Sequence, residues 1–173
     1  MTGTPDIHVT RATEADIHAA CAVLVEAVRW LEGRGEPLWK AEEFALERLA
    51  PCVTAGELFL ARADGEVAGT FLLQEADPLF WPDDPPGTAL YLHKLAVARA
   101  FAGRGVSRAI LDWAAVEAAR RGRAFLRLDC DGTRPALCAF YAAAGFTHVD
   151  TPRMGHWTAA RFERAVVTPS RRP

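Results

Sequence analysis

Residues 90–111 read LYLHKLAVARAFAGRGVSRAIL: an apolar run of strand length, a turn carrying Gly103 and Gly105, and a helix start. A second apolar run at residues 124–130 follows that helix, and strand, helix, strand in succession make a right-handed crossover between parallel strands. The rest of the chain must fit around this unit. Gly103 and Gly105 carry no Cβ, so the backbone can bend tightly there and approach a ligand closely. The first turn of the following helix presents N–H groups without intrahelical partners, and such donors suit a phosphate. Two nucleotide-binding turns fit the spacing less well. No G-x-x-x-x-G-K-[ST] occurs, and Arg108 stands where G-x-G-x-x-G needs its third glycine.

The flanking segments supply the other elements. Residues 7–11 alternate as a short strand, and Thr13 caps a helix predicted over residues 16–32, stopped by Gly33, Gly35 and Pro37. A second helix over residues 40–49 is expected to end at Pro51, leaving Trp30 and Trp39 on either side of a hinge. Residues 57–63 and 67–74 are apolar runs joined by Asp64-Gly65, a hairpin signal for antiparallel strands. Residues 76–87 hold Pro78, Pro82, Pro85 and Pro86 and are expected as a surface loop. The helix over residues 104–121 is predicted to bury Val106, Ala109, Ile110, Trp113 and Val116, and to stop at Gly122. After the strand at 124–130, Pro135 opens a helix that ends before Gly145. Strands at 146–149 and about 158–167 follow, then a polar tail. The expected fold is α/β, a mixed, mostly antiparallel sheet of about seven strands with helices on both faces, in one domain over residues 1–173.

Composition narrows the partners. A chain of 173 residues with 50% hydrophobic content is long enough to bury a sizeable core, and a net charge of −2 gives no electrostatic reason to bind nucleic acid or an anionic membrane. No apolar stretch has the length of a membrane span, and residues 1–7 do not resemble a leader. Cys21, Cys52, Cys130 and Cys138 form no C-x-x-C pair, and free thiols of this kind fit a reduced cytoplasm. No His/Cys cluster has metal-ligand spacing, so no metal is expected.

Two segments resemble signatures of the GNAT superfamily of N-acetyltransferases. The turn at residues 102–107 is similar to the family's [QR]-x-x-G-x-[GA] motif, with Gly105 kept, Ala102 in place of Gln or Arg, and Ser107 in place of Gly or Ala. Residues 127–146, with Phe140-Tyr141 followed by Gly145-Phe146, resemble the second signature. The order of elements also matches the family's fold along nearly the whole chain. The resemblance implies that acetyl-CoA is the acyl donor. Its diphosphate would meet Ala102, Gly103, Arg104, Gly105, Val106, Ser107 and Arg108, and its thioester would lie where two parallel strands splay, near Leu95, Ala96 and Val97. Arg134 stands where relatives commonly carry an Asn, and is a further candidate contact. The matching position makes Tyr141 the acid that protonates the departing sulfur, and a phenol with an ordinary pKa of about 10 holds its proton at neutral pH. A core role, shared with Leu137 and Ala144, is the alternative.

An attacking amine must lose a proton. His93 is the first candidate to take it, since imidazole titrates near neutrality and its strand position resembles that of a histidine assigned to proton removal in one member of the family. Two-residue periodicity places His93 on one face with Tyr91, Leu95 and Val97. Asp129 and Glu26, acting through water, are alternatives. Trp30, Trp39, Phe80 and Trp81 are candidates for the acceptor wall, with core or dimer packing the competing role. The expected acceptor is a primary amine on a small molecule or peptide. A non-catalytic acyl-CoA sensor, a longer acyl donor and a protein N-terminus are rival readings, and a homodimer is open.

Overall fold

The computed structural model describes residues 6–166, so the expected polar tail and the end of the last predicted strand at Val167 lie outside the described residues. Its elements are β1 (Ile7–Arg11), α1 (Ile17–Gly33), α2 (Leu46–Thr54), β2 (Leu58–Ala63), β3 (Glu66–Gln74), β4 (Ala89–Val97), α3 (Val106–Arg120), β5 (Phe125–Asp131), α4 (Pro135–Ala143), β6 (Thr147–Asp150), β7 (Arg153–Met154) and β8 (Trp157–Ala165). Two compact units emerge, one from residues up to 73 with residues 94–110, the other from residues 74–93 with residues from 111 onward.

In the first unit β1, β2 and β3 pair antiparallel. Asp64 and Gly65 both take positive φ, 53° and 84°, the backbone that a two-residue hairpin turn needs. Ala20, Val23, Leu24 and Val28 recur at helical spacing along α1 and are buried, with Phe44 and Leu49 in the same core as Val23, Leu24 and Val28. Gly69 is required by proximity, because a Cβ there would meet the Ala96 carbonyl at 2.9 Å and Ile110 Cδ1 at 3.1 Å. Pro51 does not end the second helix as expected but sits inside α2. One intrahelical bond, to the Glu47 carbonyl, is forgone, and burial of Leu49 at 4% exposure holds the helix in place. The two effects are of similar size, about 2–3 kcal/mol each.

In the second unit β5 lies parallel to β4, as the crossover requires, and antiparallel to β8, which also pairs with β6 and β7. The two-residue β7 was absent from the sequence-based expectation. Leu126, Leu128 and Cys130 of β5 are buried while Arg127 and Asp129 alternate to the other face. Residues 76–87 form no ladder, but the segment is not confined to the surface: Asp77 and Trp81 are 7% and 6% exposed.

The face of α3 also differs from the expected one. Val116 is 68% exposed, whereas Val106, Ile110, Ala114 and Ala118 are buried at successive i+4 positions. Alanines carry too little apolar weight to reveal that stripe, so the larger Val116 drew the prediction off by part of a turn.

Candidate active site

The turn after β4 has the form expected of an anion cradle. Gly103 and Gly105 take φ of 74° and 81°, and a Cβ at Gly103 would point into open space. The first bond of α3 runs from the Ala109 N–H to the Gly105 carbonyl at 3.0 Å, so the Val106 and Ser107 amides precede the helical ladder. Buried Phe101 anchors the turn, and the Arg104 guanidinium lies over its ring at 5.0 Å. The Ala98 N–H is bonded to the Ala68 carbonyl at 2.9 Å, which ties the exit of β4, after Leu95, Ala96 and Val97, to β3. Ala102 and Arg108 are exposed on this turn, and Ser107 is half-buried.

The second feature is a histidine between two carboxylates. The parallel ladder of β4 and β5 pairs Ala89 with Phe125, Leu90 with Leu126 and Tyr91 with Arg127, and stops there although both strands run on. Just beyond it, His93 Nε2 lies 3.2 Å from Asp77 Oδ2 and Nδ1 lies 3.5 Å from Asp129 Oδ1. Burial pushes the Asp77 carboxyl up, but hydrogen bonds from His93 and from the Phe80 and Leu79 amides hold it below the ordinary value. The Phe80 ring sits 6.3 Å from the imidazole and packs edge-on against Trp157 at 5.7 Å.

Lys94, the next residue, has φ 53°, a left-handed backbone uncommon outside glycine. It breaks the two-residue alternation, so the shared face expected for Tyr91 and His93 does not extend by periodicity to Leu95 and Val97. Its ammonium pairs with Glu43 at 3.0 Å and lies over Trp39 and Phe44 at 5.3 and 5.4 Å.

Tyr141 on α4 is buried among Phe140, Phe146 and Phe162. Burial, reinforced by Cys130, Asp129 and Cys138, pushes its hydroxyl pKa up, so it stays protonated. The sulfurs of Cys130 and Cys138 approach to 3.8 Å across the β5–α4 turn. Burial first, and then Cys138, raises the Cys130 thiol, which makes it a poor nucleophile.

Other expected site residues have structural partners. Glu26 accepts the Arg99 N–H at 2.9 Å, and Trp30 lies under the Arg99 guanidinium at 4.0 Å. Arg134 donates to Asp131 at 3.1 Å. Trp81 is covered by the Arg127 and Arg161 guanidiniums at 4.5 and 4.7 Å. Beside it, Asp84 bonds both Tyr91 and Arg127, and burial followed by Asp84 pushes the Tyr91 hydroxyl up to about 12. Asp77 and Trp157 were missed. Asp77 had one legible signal, its place before Pro78 at the head of a turn, where a carboxylate readily accepts a local amide.

The model of the Acetyltransferase (GNAT) family matches residues 24–146, and the chain belongs to that family of enzymes. The uncharacterised N-acetyltransferase YesJ of Bacillus subtilis is 29% identical over 153 residues, covering 84% of each chain. A GNAT-family acetyltransferase from Listeria monocytogenes superposes with TM-score 0.80 at 22% identity over 96% of this chain and 98% of that one. YncA of Salmonella typhimurium, solved with acetyl-CoA, gives TM-score 0.70 at 15% identity over 97% and 98%. Among the described residues, no helix is long and apolar enough to cross a membrane.

Proposed function

We propose that the protein transfers the acetyl group of acetyl-CoA to a primary amine of a small molecule or peptide by direct attack in a ternary complex. The observation that carries this reading is His93 beside Asp129, a base and a carboxylate whose facing atoms are 3.5 Å apart. Both atoms can lie within hydrogen-bond range of a single amine nitrogen. Asp129 then attracts the ammonium and His93 Nδ1 receives its proton, leaving the lone pair needed for attack.

The turn at residues 102–108 fits a diphosphate. Its donors are backbone amides, Gly103 leaves open space above the main chain, and Arg104 and Arg108 add positive charge. Ala102 and Ser107 leave this backbone set intact. When bound, acetyl-CoA supplies an acetyl group as a reactive thioester. Tyr141 holds a proton for the departing sulfur, and amides of residues 95–97 polarise the carbonyl. Arg134, Trp30, Trp39, Trp81 and Glu26 support these elements through the partners already described.

Release of free thiol from acetyl-CoA, followed with a colorimetric thiol reagent over a panel of primary amines, tests the reading. Amine-dependent release is expected. Acetyl-CoA binding in calorimetry without thiol release from any amine would make the protein a sensor instead. Faster release from a longer acyl-CoA would replace acetyl as the donor.

A further inference from the structure

We propose that Asp77 is a positioning residue: it holds the neutral His93 ring with its hydrogen on Nε2, so that Nδ1 is the atom that receives the amine's proton. This rests on the acetyltransfer reading above and adds to it a residue outside both family signatures.

The argument starts in the loop. Asp77 precedes Pro78 and heads a tight turn, its Oδ1 accepting the Phe80 N–H at 3.0 Å and its own carbonyl accepting the Trp81 N–H at 2.8 Å. The turn therefore fixes the carboxylate before any histidine is considered. Its remaining oxygen, Oδ2, faces Nε2 at 3.2 Å, while Asp129 stands 3.5 Å from Nδ1, outside the usual range for a formed bond. Asp77 stays ionised, because the hydrogen bonds it receives outweigh its burial. A carboxylate can only accept, so the nearer contact favours a ring that donates from Nε2 and keeps its lone pair on Nδ1.

Asp77 from the loop and Asp129 from β5 are the charged groups against His93 among the described residues of this unit, and the Phe80 ring is apolar. One proton passes from the acceptor ammonium to Nδ1. The Nε2 hydrogen stays shared with Asp77 and stabilises the imidazolium that results. Asp77, His93 and Asp129 are also residue types that ligate cations, with ligand atoms within 4.8 Å of one another. A cation bound there would need the ring lone pair and would compete with the proton role, so the test includes that arm.

Nitrogen-15 NMR of the histidine side chains, with His93 assigned by its loss in His93→Ala, reads the tautomer in the ligand-free protein. The expected spectrum, at a pH where the ring is neutral, has hydrogen on Nε2. In Asp77→Asn the amide can donate as well as accept, so a mixture of tautomers is expected, with kcat lowered about 100-fold and KM for acetyl-CoA unchanged. Hydrogen on Nδ1 in the wild-type protein would overturn the proposal even if Asp77→Asn fails to fold. So would an Asp77→Asn protein with unchanged tautomer and kcat, or wild-type activity abolished by a chelator and restored by Zn²⁺. In the first two cases amine-dependent thiol release by the wild-type protein would leave the acetyltransfer reading standing. Absence of that release with the Nε2 tautomer present would sink the acetyltransfer reading, and with it the proton-receiving role of Nδ1, while the hold of Asp77 on the ring would stand.

Discussion

The Glu26 carboxylate on α1 accepts the backbone N–H of Arg99 at 2.9 Å, while the guanidinium of the same arginine stacks over Trp30 at 4.0 Å. Two side chains one helical turn apart thus grip the segment that leads into the Gly103–Gly105 bend. Glu26→Gln is expected to raise the dissociation constant for acetyl-CoA up to about tenfold, since a hydrogen bond to a charged group contributes about 1.5 kcal/mol. The pH profile of kcat should keep its shape. A lost acidic limb would instead make Glu26 the base.

Gly103 and Gly69 are glycines for different reasons. At Gly103 the backbone is left-handed and the space above it is open, so Gly103→Ala should fold, with a backbone cost of about 1–2 kcal/mol, and weaken acetyl-CoA binding in calorimetry. At Gly69 an added Cβ collides with the Ala96 carbonyl at 2.9 Å. Gly69→Ala should therefore lower the urea midpoint more than Gly103→Ala.

Tyr141→Phe preserves the ring packing against Phe146 and Phe162 and deletes only the hydroxyl. A fall in kcat of about 100-fold with little change in acetyl-CoA affinity is expected of a lost proton donor. Because burial raises the hydroxyl's pKa, the wild-type rate should show no alkaline limb from this group. An unchanged kcat would return Tyr141 to the core.

Hydrogen bonding from Arg120, opposed by burial and assisted by Arg121, lowers the Glu117 carboxyl from 4.5 to about 2. A group whose folded pKa is depressed adds stability above its unfolded pKa and loses it as pH falls through the folded one. The contribution of Glu117 is therefore full above about pH 5, mostly lost by about pH 2 and gone only below it. Glu117→Gln should cost about 1 kcal/mol at pH 7, a modest figure because Arg120 is solvent-exposed and screened, and only a small fraction of that at about pH 2. Urea unfolding at the two pH values checks this.

Local chemistry explains what could be read in advance. Asp64-Gly65 dictates its own backbone, and the strand, glycine bend and helix at residues 90–111 announce a crossover, so these elements stand where the sequence places them. Pro51 misleads because its cost is local whereas the burial of Leu49 that offsets it is tertiary. His93 and Asp129 were legible from strand position and residue type. For Asp77 only the turn before Pro78 was legible, because a proline-rich segment has no periodicity, and only the fold shows that its carboxylate reaches a ring on β4.

The segment between β3 and β4 supplies Asp77 to one edge of the imidazole and Phe80 to its surroundings. Reshaping it to admit a bulkier or differently charged amine would also move the group proposed to set the ring's tautomer. On the proposed reading, acceptor choice and the ability to activate the acceptor would be inherited together. Grafting the loop from a relative should transplant both or neither.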